Sequence, residues 1–134
     1  MNRRLALATA LLAGCATQAV PVSEATVTKS VLNSELTKKV SGYGALVFKR
    51  DSGWNNGACS FRLYVNGGPF ADLGMSEMVT IYLPPGEHIV GARANGICFA
   101  GDAEMTVAVK PDQMRSYRVS VDAGGALKLQ PTAF

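Results

Sequence analysis

The chain has 134 residues, 48% of them hydrophobic and 17% charged, and a formal net charge of +3. That length suits one small domain. Its basic residues, among them Arg50, Arg62, Arg93, Arg115, Arg118 and Lys128, are scattered among acids rather than gathered on one segment, so no nucleic-acid partner is expected.

The first element in chain order is an address. Met1-Asn2-Arg3-Arg4 forms a charged head, Leu5 to Leu12 an apolar run, and Leu12-Ala13-Gly14-Cys15 a small-residue cleavage site. A membrane-spanning helix needs roughly 20 apolar residues, and this run is too short to be one. The residues after Arg3-Arg4 carry little of a twin-arginine pattern.

Leu12-Ala13-Gly14-Cys15 resembles the lipobox of bacterial lipoproteins. The resemblance implies a diacylglyceryl thioether on Cys15, cleavage between Gly14 and Cys15, and acylation of the new amino terminus. With Ala16 rather than aspartate after the cysteine, it also implies the outer membrane as destination. One acyl chain holds a protein only marginally, whereas two or three make release negligible. Loss of Arg3 and Arg4 with the signal peptide lowers the formal charge from +3 to +1. The expected organisation is a signal peptide over 1–14, a lipidated amino terminus and flexible tether over 15–43, and a folded domain over 44–134. Within the tether, Val31, Leu32, Leu36 and Val40 recur at helical spacing, so one short helix is expected near Ser34 to Lys39.

From Tyr43 onward, short segments rich in β-branched and aromatic residues alternate with glycine, proline and asparagine. Eight strands are predicted: Ala45–Arg50, Ser60–Asn66, Pro69–Leu73, Met78–Leu83, His88–Ala94, Glu104–Val109, Ser116–Val121 and Ala126–Leu129. The fold class is therefore all-β, an antiparallel β-sandwich, Ig-like or transthyretin-like, of 7 to 8 short strands. Phe61, Leu63 and Val65 share one face while Arg62 and Tyr64 share the other. Tyr117, Val119 and Val121 alternate likewise with Arg118 and Ser120.

Asn66-Gly67 tolerates positive φ and predicts a tight hairpin, and Lys110-Pro111-Asp112-Gln113 and Asp122-Ala123-Gly124-Gly125 are further turn formers. Sequential hairpins of this kind imply an antiparallel sheet. In Leu83-Pro84-Pro85-Gly86-Glu87-His88, two prolines fix φ and a glycine frees the chain to reverse. The runs Phe61 to Gly67 and Thr80 to His88 resemble small bacterial lipoproteins and the strand-turn-strand rhythm of PEGA-type β modules. That resemblance covers roughly Ala45 to Leu129, implies a β-sandwich, and transfers no catalytic residues.

With Cys15 acylated, Cys59 and Cys98 remain as an even pair in a chain bound for an oxidising compartment, where a disulfide is the default. The alternatives are a two-cysteine metal site or a reactive thiol. His88 is the only histidine and the cysteines lack paired zinc-site spacing, so no metal and no cofactor are expected.

No catalytic constellation is legible. His88 sits beside a proline turn with no nucleophile elbow, and reads as a surface residue bonding Glu87 or a turn carbonyl. Asp51, Asp72, Glu77, Asp102 and Glu104 show no diagnostic carboxylate spacing, and the glycine pairs sit in hairpins rather than in a phosphate loop. The loop Asp51 to Ala58 holds the only tryptophan among amide side chains. Trp54, Asn55 and Asn56, with Phe99 brought near by the disulfide, form a candidate binding surface, although Trp54 also reads as a cap on the core.

The functional expectation is a noncatalytic, membrane-anchored lipoprotein whose periplasmic β domain binds or supports another envelope component, protein or glycan. Alternatives are an accessory lipoprotein of the lysozyme-inhibitor or secretion-system type and, behind these, an envelope hydrolase.

Overall fold

The computed structural model describes residues 18–53, 59–96 and 98–134. Among the described residues, nine strands pack as two sheets. They are β1 (Thr26–Val27), β2 (Gly44–Arg50), β3 (Phe61–Val65), β4 (Gly68–Leu73), β5 (Glu77–Leu83), β6 (Gly86–Ala94), β7 (Asp102–Val109), β8 (Met114–Val121) and β9 (Leu127–Thr132). The first sheet has the order β1-β5-β2-β8-β9 and the second β4-β3-β6-β7. This is the expected all-β sandwich.

Alternation decides the inner faces. Phe61, Leu63 and Val65 of β3 are buried while Arg62 and Tyr64 are only partly so. The core between the sheets is built on Phe48, Phe61, Phe70, Leu63, Ile81, Val90 and Val119, with Phe48 set between Phe70 and Tyr117 at ring separations of 5.5 and 5.3 Å. Burying each such side chain contributes about 1.5–3 kcal/mol.

The connections depart from a run of sequential hairpins. Asn66-Gly67 makes the tight β3–β4 turn with φ of 49° and 83°, and Asp122–Gly125 joins β8 to β9. The Pro84-Pro85-Gly86 turn instead carries the chain from β5 in the first sheet to β6 in the second, and Lys110–Gln113 carries it back from β7 to β8. Because these turns change sheets, β8 comes to lie beside β2, and the two pair in parallel. β1 also pairs with β5 in parallel; the remaining pairings are antiparallel. Turn chemistry sets a local reversal but leaves open which sheet the next strand joins.

The stretch expected as a tether is bonded to the sandwich from Gln18 onward. Gln18 and Ser52 exchange backbone hydrogen bonds of 2.7 and 3.0 Å. Thr26 and Thr28 extend the first sheet at β5, and Val31 then bridges to Ala71 at the edge of the second. This segment thus closes one open side of the sandwich and covers two strand edges that would otherwise invite pairing. The short helix expected near Ser34 is a 3-10 turn over Ser34–Thr37.

Every residue of β2 is buried, Lys49 and Arg50 included. Alternation alone would send one of these charges to solvent. The Lys49 ammonium donates to the Val20 carbonyl at 2.5 Å, so the docked amino-terminal segment covers it. Burial lowers its pKa, opposed by the negative charge of Asp51. Arg50 lies 4.0 Å over the Phe61 ring and donates to the carbonyls of Leu73, at 3.0 Å, and Cys59. Burial pushes its pKa down to about 10, which leaves it charged at neutral pH. Asp51, whose side chain is inaccessible, pairs with Arg118 at 2.6 Å.

Candidate binding face and the disulfide end

Cys59 and Cys98 are disulfide-bonded, with Cα atoms 6.3 Å apart, within the range such a bridge requires. Cys15, Trp54, Asn55 and Asn56 lie outside the described residues. Phe99 is 93% exposed next to the bridge. The disulfide ties Cys59, two residues before β3, to the β6–β7 connection. Around it the backbone is held: Asn95 donates its N–H to Ser60 O at 2.9 Å and its amide to Ser60 Oγ at 2.8 Å and Asp72 Oδ1 at 3.1 Å.

The outward face of the second sheet gathers residues that sequence reading left apart. In one row across four strands stand Asp72 of β4, Arg62 of β3, Arg93 of β6 and Asp102 of β7. The two arginines sit in the middle, each forked onto its own aspartate. Arg62 meets Asp72 at 2.9 and 3.0 Å, and Arg93 meets Asp102 at 2.8 and 2.9 Å. A guanidinium has five N–H donors, so each fork leaves three for other acceptors. The hydrogen bond from Arg62 holds the Asp72 carboxyl below the usual carboxylate range, and that from Arg93 does the same for Asp102. All four groups are thus charged at neutral pH, and the forks fix two donor planes on the surface.

The next row along the strands is Tyr64, Gly91 and Glu104. Gly91 supplies no side chain, which leaves a notch flanked by Tyr64, Ile89, Arg93 and Glu104, part of a groove of about 430 Å³. That is within the roughly 300–1,000 Å³ common for ligand sites. Tyr64 and Arg93 form one amphipathic wall, the guanidinium carbon lying 5.9 Å from the ring centroid. Ile89, 53% exposed, adds an apolar patch. The surface can thus offer an aromatic ring, oriented donors and a carboxylate acceptor to a partner.

His88 bonds the turn carbonyl of Pro84 at 2.8 Å and Asn66 Nδ2 at 2.9 Å. A carbonyl only accepts, so Nε2 carries the proton and Nδ1 accepts from the amide. Both nitrogens are engaged in holding the Asn66 and Pro84 turns together. Among the described residues, no group of three or more histidine, cysteine or acidic side chains is placed to hold a metal ion.

The sequence did give one signal for this face, the shared orientation of Arg62 and Tyr64. Adding Arg93, Asp102 and Glu104 required the β3–β6–β7 register, which no local pattern carries. No protein-family model matches the chain, and no curated protein matches it.

Proposed function

We propose that the protein is a noncatalytic lipoprotein of the bacterial outer membrane, anchored through an acylated Cys15. Its β-sandwich faces the periplasm and binds or supports another envelope component, protein or glycan. The observation that carries the binding reading is the outward face of the second sheet, where two forked arginine–aspartate pairs flank the Tyr64–Gly91–Glu104 notch. Fixed charged groups beside an aromatic ring and a groove are what a specific contact requires. The anchor rests on the lipobox-like Leu12-Ala13-Gly14-Cys15 and on the Cys59–Cys98 disulfide, which fits an oxidising compartment. No helix among the described residues is long and apolar enough to cross a membrane.

Photo-crosslinking in cells tests the binding reading. A photoreactive side chain at Tyr64, Ile89 or Thr106, the β7 residue opposite Ile89, should give adducts to protein or cell-wall glycan. The same group at Lys128 or Gln130, on the other sheet, should give none. Equal yields from both sheets, or no adduct from either, would remove the assignment of this face. Intact mass of the membrane-derived protein tests the anchor, and an unmodified amino terminus at Cys15 would end it.

A further inference from the structure

We infer that the disulfide end of the sandwich lies against the lipid bilayer, with Phe99 entering its interfacial layer. This rests on the proposal that Cys15 is acylated. Among the described residues, the first one bonded to the sandwich is Gln18, paired with Ser52 just past the end of β2. Only Ala16 and Thr17 stand between the anchor and that residue, three steps along the chain and a reach of at most about 11 Å when fully extended. A long tether would let the domain orient freely; this one holds a particular end of it at the membrane.

That end has the surface a bilayer would accept. The register places the ends of β2, β6 and β8 and the starts of β3, β5, β7 and β9 together there. The connection 95–101, which carries Phe99, contains no ionisable side chain other than the disulfide-bonded Cys98, and in the turn Asp122–Gly125 the one such group, Asp122, accepts from Gly124 N and Ala126 N at 3.0 and 2.9 Å. Ala100 O accepts from Leu127 N at 2.7 Å, so the two connections are joined. Met75, 42% exposed, projects from the β4–β5 connection at the same end. The nearby charges are largely engaged within the protein: Arg93 with Asp102, Lys128 with Asp122 at 3.6 Å, and Arg118 with Asp51. The opposite end is different in kind, with Glu87, Lys110 and Asp112 in its turns.

Phe99, 93% exposed, shares this end with the exposed Met75, and two large apolar side chains presented at one end are more telling than either alone. At the headgroup boundary burial of Phe99 is favourable, and it adds a second contact to the acyl chains. The neighbouring Cys98 is tied through the disulfide to Cys59, just before β3. In this orientation the strands stand roughly along the membrane normal, and the groove over Gly91 looks sideways into the periplasm, accessible to a partner.

Depth-dependent fluorescence quenching tests the orientation. The full chain, acylated in cells and carrying Trp54→Phe, is purified in detergent and reconstituted into phosphatidylethanolamine–phosphatidylglycerol vesicles containing brominated lipid. A single tryptophan is introduced at Phe99→Trp or, at the far end, Met114→Trp. The expected result is at least twofold quenching and a blue-shifted emission at position 99, with neither at position 114. Equal emission at the two positions, or an unquenched position 99, would overturn the inference. Intact mass of the same samples separates the two levels. Acylated protein with an unquenched position 99 refutes the membrane contact alone, whereas protein lacking acylation refutes the anchor beneath it. As a fold control, both variants must keep the wild-type circular dichroism and disulfide. If Phe99→Trp fails it, Met75→Trp at the same end replaces it, with the same quenching expected.

Discussion

Gly44 opens β2 at the point where the first sheet passes over the end of β7. A Cβ added there would lie 2.5 Å from Val109 Cγ1 and 2.6 Å from the Lys110 carbonyl oxygen. Carbon contacts are comfortable at about 3.5–4.0 Å, so Gly44→Ala demands a shift of roughly 1 Å. Neither neighbour yields readily. Val109 is buried in the core, and Lys110 O belongs to the backbone of the crossover. The shift would also strain the Ala45 N to Gln113 O hydrogen bond of 2.8 Å. Overpacking of this kind costs about 1–3 kcal/mol. At roughly 4–8 °C per kcal/mol for a domain near this size, Tm should fall by about 5–20 °C. Gly91→Ala is the matched comparison. Its Cβ meets Ala103 O and Glu104 Cγ at 3.4 Å, which is ordinary contact. Alanine is also favoured over glycine in a strand by about 0.5–1 kcal/mol. That variant should unfold within about 3 °C of wild type while filling the floor of the groove. Thermal melts followed by circular dichroism decide the matter. A Gly44→Ala protein with wild-type Tm would show that the crossover is looser than its packing implies.

Three further outcomes follow from the same geometry. Removing the disulfide by Cys59→Ser with Cys98→Ser opens a loop of 39 residues, and the chain-entropy estimate for that span is about 4 kcal/mol; urea unfolding that leaves stability unchanged would mean the hydrogen bonds around Asn95 and Arg50 suffice. Because Arg62 depresses the Asp72 pKa, the carboxylate contributes stability that is fully present above its unfolded value near 4 and is lost as pH falls through the lower folded value. Asp72→Asn should therefore cost about 1–2 kcal/mol at pH 7 and show a weaker loss below pH 4 than wild type, read from urea midpoints across pH. Arg50→Met keeps much of the packing over Phe61 but removes the donors to the Cys59 and Leu73 carbonyls. Two buried carbonyls lose their donor and Glu77 loses the positive charge that faces it, so a loss of about 1–3 kcal/mol is expected, and hydrogen exchange should quicken first at Ser60 and Asn95.

The sequence by itself determined the strands and several turns, because these depend on short-range chemistry. A period of two in β3 and β8 marks a half-buried surface, and Asn66-Gly67 supplies the positive φ that a tight hairpin needs. It also determined the disulfide partners, since one pair remained once Cys15 was set aside. Tertiary structure decided what depends on residues distant in the chain. The Pro84-Pro85-Gly86 turn reads the same whether the next strand pairs with its predecessor or crosses to the other sheet, and only competing partners settle that it crosses. Lys49 and Arg50 read as one inward and one outward charge, yet both are buried, because the docked amino-terminal segment covers one and the carbonyls of Cys59 and Leu73 receive the other. The row Asp72–Arg62–Arg93–Asp102 exists only once four strands fall into register. Composition marked residues 15–43 as a tether because apolar periodicity is weak there. Beside side-chain bonds such as Lys49 to Val20 O and Thr28 Oγ1 to Asp72 O, what holds residues 18–33 is backbone hydrogen bonding to Ser52 and to the edges of β5 and β4, an interaction every peptide unit can make and no side-chain pattern announces.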